Sequence, residues 1–290
     1  MQRTEKRNAF SLKAYKKRGG SLAVRVLLIL SAAFTAVVLA AIIIYTFVRG
    51  IPNLRADMFA LKYTTDNHSM TPAIINTLTI TALSLLIAFP LGLFSAIYLE
   101  EYAKKGSKIV SIVSSTAETL SGIPSIVYGL FGNIVFVVLC GFSQSILAGA
   151  LTLAIMILPT IMRTSQEAIK AVDPAYREGS FGLGAGRLRT VFKIVLPAAS
   201  SGIFSGVILA IGKIVGETAA LLYTAGSVSG VPSSLMGSGR TLAVHMYALI
   251  NEGLYTDDAY AVAAVLIVFV FLLNMATDMI EKKITKRKGI

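Results

Sequence analysis

The sequence predicts an all-α, polytopic membrane bundle of six transmembrane helices, and three observations carry that prediction. The 290-residue chain is 55% hydrophobic and only 14% charged, whereas a soluble protein carries roughly 25% charged residues. Its mean hydropathy is +0.73, and the apolar residues gather into runs that reach the ~20 residues a helix needs to cross a bilayer. The Lys and Arg residues, finally, alternate in density between successive connecting segments.

Six spans are expected at about 24–48, 72–98, 109–140, 143–163, 199–224 and 259–280. The alternation puts both termini on one side. That side holds eight Lys/Arg in the N-terminal tail through Arg25, three in the 99–108 turn, six in the 163–198 loop and five in the C-terminal tail. The other side holds four, Arg49, Arg55, Lys62 and Arg240, and Lys213 lies within a span. An excess of Lys and Arg marks the cytoplasmic face, so the formal charge of +12 is a topology signal. It does not indicate nucleic-acid binding, because no basic, aromatic-interleaved soluble module is present. The single cysteine, Cys140, excludes a disulfide framework and a cysteine-rich metal site. It lies in an apolar run and is expected to be a buried, inert thiol.

Taken in order, residues 1–21 form a basic tail attracted to anionic lipid headgroups. The first apolar run has no small-residue cleavage site after it, so an uncleaved helix is expected and not a signal peptide. This helix is apolar all round and should sit at the periphery. With the exterior loop that follows, where a short interfacial helix is expected, it makes up residues 22–70. Span two opens at Thr71-Pro72, where proline suits a first helical turn. Its Asn76, Thr77, Thr79 and Thr81 are expected to face neighbouring helices, and Pro90 with Gly92 predicts a bend. In span three, Gly122 and Pro124 should break the helix. Glu118 reads as an acid at a helix end, or alternatively as a gating group. Span four carries Pro159 near its exit.

The 164–198 loop follows. Asp173-Pro174 is a cap followed by proline at the first helical position, predicting a short helix over residues 175–183. The glycines at 182, 184 and 186 end it, a second helix starts near Leu188, and Pro197 marks the return to the bilayer. Within the loop stand Glu178-Gly179-Ser180, three residues, Gly184, nine residues, Ile194, one residue, and Leu196-Pro197. This spacing resembles the EAA loop of ABC-transporter permeases, whose pattern is E-A-A, three residues, G, nine residues, I-x-L-P. Gly179 and Ser180 replace the two alanines, and all three residue types are small. The resemblance implies that Glu178, Gly179, Ser180, Gly184, Leu196 and Pro197 form the surface through which a separate ATPase drives the permease.

No nucleotide site is found in the chain itself. Residues 182–186 follow no strand and fit neither dinucleotide nor P-loop spacing. Residues 206–213, GVILAIGK, have five residues between glycines and Ile214 in place of Ser/Thr. The expectation is therefore a non-enzymatic subunit with no metal and no cofactor of its own, ATP and Mg²⁺ belonging to a partner chain.

Span five contains Lys213 and Glu217, four residues apart and so expected on one helical face within pairing distance. Lys213 is about 24 Å from Pro197 at ~1.5 Å per residue. Charges at such depth mark a substrate path or, alternatively, an internal pair that holds the bundle. The segment GKIVGETAALLYTAG, with PLGLFSAIYLEEYA and ETLSGIPSIVYGLFG of spans two and three, resembles the phosphate-specific (PstA-like) members of the permease family. Lys213 stands where that family commonly has arginine; it keeps the charge but not the planar two-point grip on phosphate oxygens. On the exterior, Arg240 and His245 are either the place where an anion first arrives or structural groups.

The resemblance implies a type I ABC importer permease fold, with a permease core at 71–280 and a basic cytoplasmic tail at 281–290. It also implies a bacterial cytoplasmic-membrane location and phosphate as cargo. The implied partners are a homologous PstC-like permease, a PstB-like ATP-binding dimer and an external PstS-like phosphate-binding protein. Three alternatives stand beside this reading. One is a permease for molybdate or sulfate; another is a secondary transporter, for which inverted hydropathy repeats would speak and none is seen. The third is a purely structural or assembly membrane protein, which would have little reason to keep a charge pair at depth.

Overall fold

The computed structural model describes residues 19–104, 106–253 and 255–287, and every regular element among them is helical. Most of the two basic tails, residues 1–18 and 288–290, lies outside the described residues. Among the described residues, five helices are long and apolar enough to cross a membrane, and a bent pair makes a sixth crossing if counted as one.

Helix α1 (Gly19–Gly50) is charge-free from Val26 to Val48 and leaves its apolar surface uncovered. It packs mainly along α11 (Thr256–Arg287) at the edge of the bundle, as its all-round apolarity predicts. Two 3₁₀ turns, Ile51–Asn53 and Ala56–Phe59, occupy the connecting loop. Helix α2 (Thr71–Ile97) continues through Pro90 and ends in a π-helical turn, Tyr98–Tyr102.

The third expected span is broken, as its Gly-x-Pro predicts. Helix α3 (Lys108–Ser121) meets α4 (Ser125–Gly132) and its π-helical extension Asn133–Leu139 at 102°. Cys140, at the end of that extension, is exposed and not buried; the chain turns away there, so an apolar sequence run does not become a packed core.

Helix α5 (Ile146–Lys170) begins at a Ser145 cap and runs well beyond the expected boundary near 163. After it come α6 (Pro174–Gly182), α7 (Arg187–Thr190) and a π-helical turn, Val191–Val195, which leads into α8 (Leu196–Val215). The fifth expected span is not one helix. It stops at Val215 and resumes as α9 (Ala219–Thr224). Helix α10 (Leu242–Asn251) is too short to span, and α11 closes the chain.

Buried apolar residues stack in three clusters along the bundle. The central one joins Ile80 of α2, Leu153 and Ile157 of α5, Ile214 of α8 and Leu221 of α9. A second, with Ile97, Ile169, Val191 and Val195, lies toward the α6 end. A third, with Met58, Met70, Leu242 and Val262, lies at the opposite end. In lipid there is no hydrophobic drive between helices, so close approach of small residues decides which faces meet. Gly206 of α8 shows this: a Cβ there would collide with the Thr164 side chain of α5. The glycine that imitated a P-loop residue is a packing residue.

The polar stripe of α2 also faces inward, as expected. Asn76 Nδ2 donates to the carbonyls of Gly230 at 3.0 Å and Arg240 at 3.1 Å. Thr77 Oγ1 accepts from Leu242 N at 2.9 Å. Through these bonds α2 holds the glycine- and serine-rich loop that precedes α10.

Candidate functional site

Two places concentrate the chemistry. The first is the segment between α5 and α8. Asp173 Oδ1 accepts from Ala175 N at 2.9 Å, capping α6, with Pro174 at its first position. The other end of α6 is closed by paired bonds in which Gly184 N donates to Phe181 O at 2.9 Å and Ala185 N to Ser180 O at 3.1 Å. That pairing requires a left-handed residue just past the helix, and Gly184 has φ +80°. The glycine of the motif is thus the C-terminal cap of a short helix.

The motif's small residues divide by direction. Glu178 and Gly179 are exposed, and a Cβ on Gly179 would meet nothing. Ser180 is buried, its Oγ 2.8 Å from Thr190 Oγ1, so it ties α6 to α7. Leu196 is half-buried, and Pro197 is buried in the first turn of α8. Around the motif, Tyr176, Phe181, Leu183 and Leu188 expose large apolar surface; Leu183 is 91% exposed.

A buried ion pair at the base of α6 was not foreseen. Arg177 donates from Nε at 2.9 Å and from Nη2 at 2.7 Å to Glu101 Oε1, and the Glu101 side chain is 8% exposed. The available signal was an acidic pair ending one apolar run and an arginine beside the motif glutamate, both on the Lys/Arg-rich side.

The second place is a cleft of about 180 Å³ lined by Ser121, Ser125, Tyr128, Met156, Lys213 and Glu217, among others. The break between α3 and α4 faces the break between α8 and α9 across it. The expected Lys213–Glu217 ion pair is not formed among the described residues. Gly216 ends α8, so Glu217 lies beyond the helix, and its Oε1 accepts from Ala220 N at 3.0 Å, holding the start of α9. Lys213 Nζ instead donates to Thr160 Oγ1 of α5 at 3.1 Å. Both charged residues still line one cleft. Thr160 was missed, although it follows Pro159 in the span facing Lys213.

Arg240 and His245 are both buried. Arg240 is 6% exposed, and its guanidinium stacks 4.6 Å over the Tyr63 ring instead of facing outward. Its Nε and Nη2 have no hydrogen-bond partner among the described residues. His245 Nε2 is 3.1 Å from His68 O, and Tyr63 meets the His245 ring edge-on at 6.0 Å. Burial, then the Arg240 charge, lowers the His245 pKa to about 3. Glu118, at the α6 end of the bundle, pairs with Arg163 at 3.1 Å in the open. Among the described residues, no group of three His, Cys, Asp or Glu is placed to hold a metal ion.

Apolar helices interrupted at a shared charged cleft, with a separate capped helix between two of them, define a multi-pass membrane bundle. The chain belongs to the family described as binding-protein-dependent transport system inner membrane component, which matches residues 88–289. It is an ABC-importer permease of PstA type. It is 33% identical over 279 residues to the probable ABC transporter permease protein YqgI of Bacillus subtilis, covering 88% of this chain and 94% of that one. It is 32% identical over 221 residues to the phosphate transport system permease protein PstA 1 of Mycobacterium tuberculosis, covering 75% of this chain and 71% of that one. Solved structures share the fold. A chain of the inward-facing MetNI methionine ABC transporter aligns with TM-score 0.61 at 20% identity, over 80% of this chain and 99% of that one. A chain of the bacterial alginate ABC transporter, in complex with its alginate pentasaccharide-bound periplasmic protein, aligns with TM-score 0.63 at 17% identity, over 95% and 98%.

Proposed function

We propose that this chain forms half of the translocation pathway of an ATP-driven importer of inorganic phosphate. It lies in the bacterial cytoplasmic membrane with both termini in the cytoplasm. Its partners are a homologous PstC-like permease, a PstB-like ATPase dimer that carries the ATP and Mg²⁺, and an external PstS-like phosphate-binding protein. Relatives named as phosphate permeases support the cargo. The observation that carries it is Lys213, an exposed ammonium in a cleft with the hydroxyl-bearing residues Ser121, Ser125 and Tyr128.

The shape of α6 supports its reading as the coupling helix. A helix capped at both ends and tied to its neighbours moves as a unit, and its exposed Glu178, Gly179, Phe181 and Leu183 offer a partner ATPase a surface to push. Closure of the ATPase dimer on ATP shifts α6 and opens the cleft outward; hydrolysis resets it. Lys213 attracts the oxyanion in the cleft, where its charge is less screened than in water, and Glu217 limits how long the anion stays.

A second reading, another tetrahedral oxyanion, is favoured by the same cleft, since an ammonium and hydroxyls do not select phosphorus. Uptake of radiolabelled phosphate by the reconstituted importer, with arsenate, sulfate and molybdate as competitors, decides between them. Phosphate and arsenate are expected to compete; displacement by sulfate or molybdate alone overturns the phosphate reading. Glu178→Arg is expected to abolish ATP-driven uptake while membrane insertion persists, and normal uptake in that variant removes the coupling assignment.

A further inference from the structure

We propose that Arg177 is a positioning residue that locks α6 to the ends of both α2 and α5, so that a push on α6 displaces these two helices as one body. The inference rests on the reading of α6 as the coupling helix and adds the route by which its motion reaches the cleft.

The guanidinium of Arg177 is shared among three elements. Nε and Nη2 donate to Glu101 Oε1, in the π-helical turn that ends α2. Nη2 also donates to Ile169 O at 2.8 Å and Nη1 to Val172 O at 2.8 Å, at the C-terminal end of α5 and just beyond it. Ile169 O also accepts from Val172 N at 3.3 Å, so the guanidinium adds a second donor at the last turn of α5, where a cation suits the negative end of the helix. The neighbouring Glu100 accepts from Gln166 Nε2 of α5 at 2.8 Å. The end of α2 is therefore held twice, once to α5 and once to α6.

Bulk stability alone does not call for this arrangement. A buried ion pair often contributes no more than well-packed apolar residues would, but removing one partner strands a buried charge. What the pair supplies is a fixed geometry, since the planar guanidinium holds its donors in one fork. Helices α2 and α5 already form the most extensive helix contact in the bundle. Helix α5 carries Thr160, the partner of Lys213. The route from α6 to the cleft thus runs Arg177, α5, Thr160, Lys213, with Glu101 keeping α2 in step.

The test uses the assembled importer with its ATPase and partner permease in proteoliposomes, on a Cys140→Ser background. Spin labels at Ala175 on α6 and Phe94 on α2 report their separation in nucleotide-free and ATP-trapped states. The separation is expected to stay constant with the native pair and to become nucleotide-dependent in Glu101→Gln. Radiolabelled phosphate imported per ATP hydrolysed is expected to fall about tenfold in that variant, the scale of a typical coupling free energy. A merely structural role would change yield or thermal midpoint but neither the transport-to-hydrolysis ratio nor the distance. Should Glu101→Gln fail to assemble, Arg177→Lys keeps the charge and loses the fork, and its ratio is expected to fall severalfold. A native separation that changes on trapping, or an unchanged ratio in either variant, overturns the lock. Cross-linking from Leu183→Cys to the ATPase separates the two levels. Absence of the cross-link overturns the coupling reading itself, whereas a cross-link with an unchanged ratio overturns only the lock.

Discussion

Lys213 of α8 donates a hydrogen bond to Thr160 of α5 at 3.1 Å, and not to Glu217 four residues along its own chain. The bond joins two of the most buried helices of the core across the lip of a polar cleft. It makes the orientation of the ammonium depend on the relative position of α5 and α8.

Thr160→Val should therefore weaken transport without unfolding the protein. Lys213 is exposed to the cleft, so water replaces the lost acceptor and the stability change should stay below about 1 kcal/mol. Phosphate uptake is expected to show a raised apparent KM in Thr160→Val and a larger loss in Lys213→Ala. Equal uptake in Lys213→Ala and the native importer would remove Lys213 from the pathway and leave it a purely internal contact.

Glu217 separates charge from shape. Its Oε1 accepts from Ala220 N at 3.0 Å, the role of a helix cap. Glu217→Gln keeps an acceptor oxygen and should retain thermal stability, while Glu217→Ala should lose about 1 kcal/mol, as helix caps do. Transport that changes in Glu217→Gln while its thermal midpoint holds assigns the negative charge a part in the cycle. Equal midpoints for the Gln and Ala variants would contradict the capping role.

His245 predicts a pH dependence. It titrates near 6.5 in the unfolded chain and at about 3 in the folded one. Between these values the unfolded state binds a proton that the folded state does not. Stability therefore rises with pH across the window and is lost as pH falls, by up to about 1.4 kcal/mol per pH unit. Thermal midpoints of the purified importer at about pH 7 and about pH 5 measure it, relative to the titration window of histidine. His245→Gln should flatten the difference, and an identical slope in the variant would refute the assignment.

Much of the local architecture was legible in the chain. The Asp173-Pro174 start of α6, its glycine-led termination, the break at Gly122–Pro124 and the inward polar stripe at Asn76 and Thr77 all stand where the residues placed them. Each is governed by the chemistry of a few consecutive residues: a cap, a fixed φ, a permitted left-handed turn, or a polar group that lipid would not satisfy. Cys140 was misread because an apolar run shows only that its residues avoid water, not which of them meet protein. The i, i+4 pairing of Lys213 and Glu217 failed because a helix was assumed to continue past Gly216.

Sequence by itself determined the helical membrane class, the approximate spans apart from the break in the fifth, and the position of the motif on a short capped helix, since hydropathy and helix ends are local properties. Only tertiary structure decided that Lys213 meets Thr160, that Arg177 reaches Glu101 across 76 residues and that Arg240 turns inward onto Tyr63. Those choices depend on which helix faces come together. In lipid, apolar faces gain little by preferring one another, so small residues and polar partners distant in sequence select the contact.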